Sequence, residues 1–301
     1  MSVRRIDVKV GFQCNNRCRF CVQGDKRDEC DDKSTAELKR ILDEGRSEVD
    51  EVVFTGGEIT LRKDLPELVA HAKGLGFRLI QLQTNGRVLA SERALGELVE
   101  AGANEIAPAI HGPNEEIHDA LTQAKRSFRQ TVKGVMNAKK LGVPVVINSV
   151  ITRANYQHLP EMAQLFVALR ADQYQFAFVH PLGTAARHFD EIVPRFGEIE
   201  PFVRAGLHVG IRAGVRCMTE AIPLCFLGRL YRHAAEWIIP RTKIFDDDRI
   251  VADYTEFRLH EGKLKGPACR GCALEAQCEG PWREYPEHFG WDEFRPLERA
   301  P

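Results

Sequence analysis

The stretch Cys14-Asn15-Asn16-Arg17-Cys18-Arg19-Phe20-Cys21 places three thiols within eight residues, in the spacing CxxxCxxC. Three soft thiolate ligands match three irons of a [4Fe-4S] cluster and leave the fourth iron open. A zinc site needs four ligands, or three with a neighbouring His or carboxylate, and this loop offers neither. Three close thiols also leave one unpaired in any disulfide scheme. The loop therefore predicts an iron–sulfur site, with a zinc knuckle or unrelated core cysteines as the alternatives.

The cysteine loop follows the first of six predicted strands, which alternate with predicted helices. The strands cover residues 5–10, 51–55, 78–83, 105–110, 143–151 and 173–179, and helices begin at Ser34, Asp64, Ser91, Ser127 and Asn155. This alternation is typical of parallel βα units, and right-handed crossovers curl such units into a barrel. We expect an α/β fold with a partial, TIM-like (β/α)6 barrel. A doubly wound sheet is the alternative that the pattern leaves open.

Polar motifs come directly after four of the predicted strands. They are the cysteine loop, Gly56-Gly57-Glu58, Thr84-Asn85-Gly86 and His111-Gly112. In a βα barrel the carboxyl ends of all strands open onto one rim, which is where active sites lie. Four unrelated polar motifs at this position predict a single site on that rim.

CxxxCxxC with an aromatic residue before the last cysteine resembles the signature of the radical S-adenosylmethionine (radical SAM) enzymes. The resemblance covers roughly residues 4–210 well and the C-terminal third more loosely. It implies that the open iron chelates the amine and carboxylate of S-adenosyl-L-methionine. It further implies that the reduced cluster cleaves the sulfonium to give a 5′-deoxyadenosyl radical, and that Phe20 lies near the adenine.

Two further motifs resemble elements of the same family. Gly56-Gly57-Glu58 resembles the GGE element that binds the methionine amino group, and Ile59 stands where a Pro usually follows. The glycines allow close backbone approach, and a carboxylate complements an ammonium. Thr84-Asn85-Gly86 resembles the TNG element of the third strand. A simple Asn-Gly turn is the alternative for that motif.

Three more residues are candidates on the later strands. Asn148 and Arg153 fall where related enzymes contact the ribose and the carboxylate of the cofactor, although a structural partner for each is equally compatible with the sequence. His111 follows the fourth strand and is the candidate catalytic residue, as a proton donor or acceptor facing the substrate. Many relatives carry a Ser where Ala109 stands. A packing role for His111 is the alternative.

The C-terminal motif Cys269-x2-Cys272-x5-Cys278 is similar to part of the SPASM and Twitch domains, which hold auxiliary [4Fe-4S] clusters. The resemblance implies a second, auxiliary cluster with Cys225 as its fourth ligand, and Cys217 is the spare thiol. Zinc is the alternative for four such thiols. We expect a radical SAM core over residues 1–209 and a small α+β Fe–S domain over residues 210–301. In the second domain we expect strands over 208–215 and 249–257 and a helix over 226–237.

Composition and charge limit the partners of the chain. The 301 residues carry 42 basic and 43 acidic side chains, and a net charge of −1 argues against nucleic acid as a partner. No apolar run approaches the length of about 20 residues that spans a bilayer, and the N-terminus has no secretory h-region. Nine cysteines without an export signal indicate metal ligation in a reducing cytoplasm.

The sequence predicts a radical SAM enzyme that abstracts hydrogen from a peptide or a small molecule, with the auxiliary cluster as an electron conduit. A flavodoxin- or ferredoxin-type protein is the expected electron donor. The first strand begins within about five residues of the start, so no N-terminal peptide-recognition domain is evident. An RNA- or nucleotide-modifying radical enzyme is one alternative, and a non-catalytic Fe–S electron carrier or sensor is another.

Overall fold

A computed structural model describes residues 3–247 and 249–299, in which strands alternate with helices. The strands are β1 Arg5–Lys9, β2 Glu51–Thr55, β3 Leu79–Thr84, β4 Glu105–Pro108, β5 Val146–Ile151, β6 Gln173–Phe178, β7 Arg216–Glu220, β8 Thr242–Phe245 and β9 Ile250–Val251. The helices are α1 Lys26–Glu29, α2 Thr35–Arg46, α3 Leu65–Leu75, α4 Glu92–Ala101, α5 Glu115–Thr122, α6 Ser127–Lys140, α7 Leu159–Ala168, α8 Thr184–Arg187, α9 Phe189–Ile192, α10 Phe196–Ala213, α11 Tyr254–Phe257 and α12 Glu284–Phe289.

Eight parallel strands form a curved wall in two ladders, β8-β1-β2-β3-β4 and β5-β6-β7. Two parallel bridges, Ile106 to Val145 and Ala109 to Asn148, connect the ladders. Within residues 3–247 and 249–299 no ladder joins β7 to β8, so the barrel is incomplete. The predicted α/β fold with a partial TIM-like barrel is confirmed. The wall also includes β7 and β8, which the sequence did not predict as barrel strands.

Alternation along β1 shows how the barrel is built. Ile6 is fully buried and packs against Gly45 of α2, so its side of the strand faces the helices. Lys9 projects to the other side, where its ammonium contacts Thr55 Oγ1 at 2.8 Å. On β3, Gln83 also points inward and is exposed. The interior of this barrel is therefore polar and open at the level of Gln83, unlike the apolar filling of closed βα barrels.

The strand predicted over residues 208–215 is wrong, because α10 continues to Ala213 and ends at Gly214 with φ of +67°. Apolar residues at helical spacing hold it against the barrel, and a side chain on Gly206 would come within 2.8 Å of Phe176. The expected domain boundary between residues 209 and 210 falls inside this helix. Because β7 and β8 follow it and pair within the barrel wall, the division into domains stays a prediction.

Two other predictions after residue 210 are wrong. The helix expected over 226–237 is a series of 3₁₀ turns, Leu224–Phe226, Gly228–His233 and Ala235–Trp237. The strand expected over 249–257 is limited to β9, because Asp253 caps α11 by accepting a hydrogen bond of 2.9 Å from the backbone N–H of Thr255. Capping by an Asp side chain favours a helix start over an extended chain.

Candidate active site and cysteine sites

The Gly-Gly-Glu turn after β2 lies directly on the cysteine loop after β1. The backbone N–H of Gly57 donates to Gly11 O at 2.8 Å, and that of Glu58 donates to Gln13 O at 2.8 Å. A Cβ on Gly57 would overlap the carbonyl oxygens of Phe12 and Gln13. Only glycine fits this close backbone contact, as the sequence motif implied.

The Glu58 carboxylate joins the Gly-Gly-Glu turn to the Thr-Asn-Gly turn. Oε1 accepts hydrogen bonds from Thr60 N at 3.0 Å, Thr60 Oγ1 at 2.5 Å and Thr84 Oγ1 at 2.6 Å. Oε2 accepts one bond, from Asn85 N at 2.5 Å. Glu58 is only 3% exposed. Oε2 therefore accepts fewer bonds than Oε1 and retains capacity for a ligand.

Asn85 and Arg87 connect the Thr-Asn-Gly turn to the cysteine loop. Asn85 Nδ2 donates to Asn15 Oδ1 at 2.6 Å and lies 3.9 Å from Cys14 Sγ. Arg87 Nη1 donates to the carbonyl oxygen of Asn15 and, at 3.0 Å, to Asn16 Oδ1. Sequence reasoning missed Arg87. Its position immediately after the Thr-Asn-Gly motif is the one signal that could have indicated it.

The three thiols of the loop are partly buried and lie close enough to influence one another. Burial raises the pKa of Cys14, Cys18 and Cys21, while the positive charge of Arg27 opposes that increase in all three. Asn16 N donates to Cys14 Sγ at 3.4 Å, a contact that favours the thiolate. Metal binding requires thiolates, so the cations of a cluster would displace protons that burial otherwise retains. This donor set fits the predicted cluster.

Phe20 and His111 pack together under the rim. Their ring centroids are 4.6 Å apart in an edge-on arrangement, and both side chains are buried. His111 Nδ1 accepts a hydrogen bond of 3.2 Å from Val150 N, which assigns the ring proton to Nε2. Burial, and then the neighbouring His118, lower the pKa of His111 well below its usual value. His111 is a neutral side chain that supports Phe20, and a catalytic role stays a prediction.

Asn148 lies within β5, and Arg153 follows the end of that strand by two residues. The Asn148 side-chain oxygen is buried without a hydrogen-bond partner among the described residues, which is unusual for a polar atom and suits a ligand contact. Arg153 is held by the start of α10, with Nη2 3.1 Å from Val193 O and Nη1 3.4 Å from Glu198 Oε2. The cofactor contacts expected of both residues stay predictions.

A second group of thiols surrounds one cavity between the 3₁₀ turns and the C-terminal segment. The cavity contains about 450 Å³ of empty space, partly open to solvent, and its lining includes Cys225, Cys269, Cys272 and Cys278. Burial, and then the thiol of Cys278, raise the pKa of Cys225 to about 12. Cys217 lies elsewhere, with Sγ 3.4 Å from Leu207 O of α10. The structure thus groups Cys225, rather than Cys217, with the C-terminal motif.

The spacing of the thiols bears on the kind of metal site. Within the described residues, no three His, Cys, Asp or Glu side chains converge closely enough to hold one metal ion. A zinc ion draws its thiolates to about 2.3 Å from one centre, whereas a [4Fe-4S] cluster binds each thiolate to a different iron. Four thiols match the ligand number of either centre, so zinc stays the alternative for this cavity. Leu297 N also donates to Cys272 Sγ at 3.4 Å.

A protein-family model described as the Radical SAM superfamily matches residues 8–166, which is more than half of the chain. The chain belongs to the Radical SAM superfamily. The matched segment contains the cysteine loop and both turns that contact it, so the predicted family is confirmed together with the fold. No helix in residues 3–247 and 249–299 has the length and apolar character needed to cross a membrane.

Curated relatives of this radical SAM chain differ in their named activities. It is 32% identical to the AdoMet-dependent heme synthase of Oleidesulfovibrio alaskensis, over 62% of the chain and 48% of that protein. It is 29% identical to the PqqA peptide cyclase of Bradyrhizobium diazoefficiens, over 65% of the chain and 52% of that protein. It is also 29% identical to the probable GTP 3′,8-cyclase of Methanopyrus kandleri, over 66% of the chain and 65% of that protein. The chain thus spans about half to two thirds of the length of these relatives.

Solved structures extend the likeness to the C-terminal segment. The crystal structure of Streptococcus suis SuiB bound to S-adenosylmethionine matches with a TM-score of 0.70 at 14% identity, over 98% of this chain and 76% of that chain. SuiB bound to its precursor peptide SuiA matches with a TM-score of 0.69 at 14% identity, over 100% of this chain and 75% of that chain. At this identity the likeness shows the fold, and it includes the segment that carries the second group of thiols.

Proposed function

We propose that this chain cleaves S-adenosyl-L-methionine reductively and uses the resulting radical to abstract hydrogen from a substrate. The observation that carries the proposal is the hydrogen-bonded contact of three motifs at one rim. Glu58 accepts bonds from Thr84 and Asn85, and Asn85 in turn donates to Asn15 between the cysteines. Cysteines that only pack in the core would not require hydrogen bonds between the turns after three different strands. The contact of these turns therefore favours one shared site.

When bound through Cys14, Cys18 and Cys21, a [4Fe-4S] cluster supplies the electron that splits the cofactor into methionine and a 5′-deoxyadenosyl radical. The residues of the chain bind and orient the cofactor. Glu58 Oε2 is the acceptor for its ammonium, and Asn148 Oδ1 is an available acceptor for a ribose hydroxyl. Charge-assisted bonds of this kind fix a ligand firmly because they are short and directional.

The cavity between the 3₁₀ turns and the C-terminal segment is proposed as the site of a second [4Fe-4S] cluster. Four thiols surround it, and four is the number that closes all the irons to substrate. A closed cluster can carry electrons or hold the fold, but it cannot bind substrate. An electron-acceptor role suits a two-electron oxidation of the substrate.

A peptide is the substrate class we favour, because the relatives include a PqqA peptide cyclase and the similar fold of SuiB is known with its precursor peptide. A nucleotide is the second candidate, favoured by the relatives named probable GTP 3′,8-cyclase. A flavodoxin- or ferredoxin-type protein is the proposed electron donor. The many thiol ligands favour a reducing compartment such as the cytoplasm.

Anaerobic cleavage of the cofactor tests the central proposal. Reconstituted protein reduced with dithionite should convert S-adenosyl-L-methionine to 5′-deoxyadenosine and methionine, measured by liquid chromatography. Replacing Cys14, Cys18 or Cys21 with Ala should each reduce the rate to background, whereas Cys217→Ala should not. Retained cleavage in any one of the three loop variants would show that the loop does not hold the cluster.

A further inference from the structure

We propose that a basic surface formed by Arg17, Lys125 and Arg126, here called the basic docking surface, binds an acidic one-electron carrier protein that reduces the cluster of the cysteine loop. The inference rests on the proposed function and adds the site at which the electron enters. The carrier loses one electron and the cluster gains it, and no bond is formed or broken.

The cysteine loop is hydrogen-bonded to the C-terminal end of α5, which directly precedes the turn to α6. Arg17 N donates to Thr122 O at 2.8 Å, and Arg19 N donates to Leu121 O at 3.0 Å. Arg17 and Arg19 flank Cys18 in sequence, so the bonds place the end of α5 beside that thiol. Lys125 follows Thr122 by three residues. A carrier seated on this turn would therefore lie next to the cluster ligands.

The turn that carries Lys125 and Arg126 is fixed in position. Asp119 Oδ1 accepts hydrogen bonds of 2.8 Å from Ser127 Oγ and 2.8 Å from Phe128 N, and Asp119 Oδ2 accepts one from Arg126 N. Thr122 Oγ1 lies 2.7 Å from Ser127 Oγ. A preorganised turn loses little conformational freedom when a partner binds, which favours association.

The side chains of the basic docking surface differ from other basic side chains nearby in their lack of acidic partners within the residues that the structure describes. Arg17, Lys125 and Arg126 are exposed, and among the described residues none has a carboxylate oxygen within 4.0 Å. Neighbouring bases are neutralised: Arg19 pairs with Glu191 and Arg129 with Glu115. Three exposed positive charges that have no carboxylate partner in the described part of the chain fit a negatively charged partner and steer its approach.

The location favours an electron carrier over other acidic partners. Arg17 lies inside the cysteine motif, and its side chain is exposed, as are those of Lys125 and Arg126. A net charge of −1 for the whole chain gives no general attraction for polyanions, so the positive surface is local. Electron-transfer complexes are small and transient, and three steering charges suit an interface of that size.

Charge reversal of the turn tests the inference. The double variant Lys125→Glu/Arg126→Glu is compared with the control Arg40→Glu/Arg212→Glu. The control reverses two exposed bases on α2 and α10 that form no salt bridge within residues 3–247 and 249–299. Arg212 is in the last turn of α10, before β7 begins, and so at the end of the barrel opposite to the rim. Stopped-flow absorbance measures the oxidation of a reduced acidic flavodoxin by each reconstituted protein at low and high salt. Electron paramagnetic resonance measures the cluster reduced by dithionite.

We expect the turn variant to accept electrons from flavodoxin at least about tenfold more slowly at low salt, within the range that electrostatic steering spans. The difference from wild type should disappear at high salt, and the control should behave as wild type. Dithionite should reduce all three proteins to the same cluster signal. An unchanged rate in the turn variant, or an equal loss in the control, would overturn the proposal.

Two further outcomes separate this inference from the proposed function. Flavodoxin binding and cluster reduction are measured without S-adenosyl-L-methionine, so a wild-type protein that is reduced by flavodoxin but does not cleave the cofactor would contradict the proposed function alone. If the turn variant instead raises KM for an acidic peptide substrate with dithionite as reductant, the surface binds substrate and the docking proposal is wrong.

Discussion

Thr84 Oγ1 donates a hydrogen bond of 2.6 Å to Glu58 Oε1 and thereby ties the turn after β3 to the turn after β2. The bond is buried, so water does not compete for either atom. Asn85 N adds a bond to the second oxygen of the same carboxylate. Glu58 is thus fixed before any ligand arrives, with one oxygen fully used by the chain and the other available.

Replacing Glu58 with Gln should weaken binding of S-adenosyl-L-methionine by about 1.5–3 kcal/mol, the scale of a hydrogen bond to a charged group. The amide removes the negative charge that pairs with the ammonium, and iron content should stay unchanged. Equilibrium binding to the reconstituted protein measures the effect. Thr60→Val is the matched control, since it removes one donor to Glu58 but keeps the charge. A normal binding curve for the Gln variant would exclude Glu58 from the site.

Replacing Gly57 with Ala should disrupt the cysteine loop, because the new Cβ would overlap backbone oxygens of Phe12 and Gln13, which cannot rotate away. We expect loss of most of the iron of the loop cluster and a lower Tm. Gly96→Ala is the control: Gly96 lies within α4 with no atom within 4 Å of a Cβ, so Ala should stabilise by up to about 1 kcal/mol. Iron analysis and thermal melts compare the two. Equal iron in both variants would contradict the close contact.

Iron content tests the two groups of thiols. Two cubane clusters predict about eight irons per chain, and the triple change Cys14/Cys18/Cys21→Ala should keep about four. Those four should resist displacement by added substrate. When Cys225→Ala is added to the triple variant, the remaining iron content should fall, or one iron should become open to exogenous ligands. Adding Cys217→Ala should have neither effect, because the Cys217 thiol contacts Leu207 O of α10. Finding zinc in place of these irons would contradict the proposed electron-acceptor role of the second site. It would not affect the assignment of the radical SAM core.

The pH dependence of stability should carry the signature of His118. Burial lowers the pKa of His118 to about 4, below the value of about 6.5 expected when the chain is unfolded. The folded state therefore favours the neutral ring, so the contribution to stability is complete above pH 6.5 and is lost progressively as the pH falls towards 4. Anaerobic thermal melts between pH 7.5 and 5 measure this slope.

His118→Asn should make that slope shallower, because Asn does not titrate and its side-chain oxygen can replace His118 Nδ1 as the acceptor for His111 N, a bond of 3.0 Å. Equal slopes for wild type and variant would show that His118 is not buried in its neutral form.

The sequence by itself predicted the six alternating strands up to residue 178 and the rim on which the motifs lie. Both follow from local patterns: residues alternate along β1, and Ser34 caps α2 through its bond to Glu37 N. The CxxxCxxC spacing likewise defines a ligand set within one loop. These patterns involve residues that are close in sequence, so they can be recognised without knowledge of the fold.

Only the tertiary structure decided which distant segments meet. The link from Arg87 to Asn15, the grouping of Cys225 with the C-terminal cysteines, and the entry of β8 beside β1 each join residues far apart in the chain. Residues 208–215 read as a strand in isolation, but Gly210 lets α10 pack against Tyr174, and Gly206, one turn earlier, lets it pack against Phe176. Packing against the barrel outweighed the local alternation there, because burial of one helix face stabilises more than propensity does.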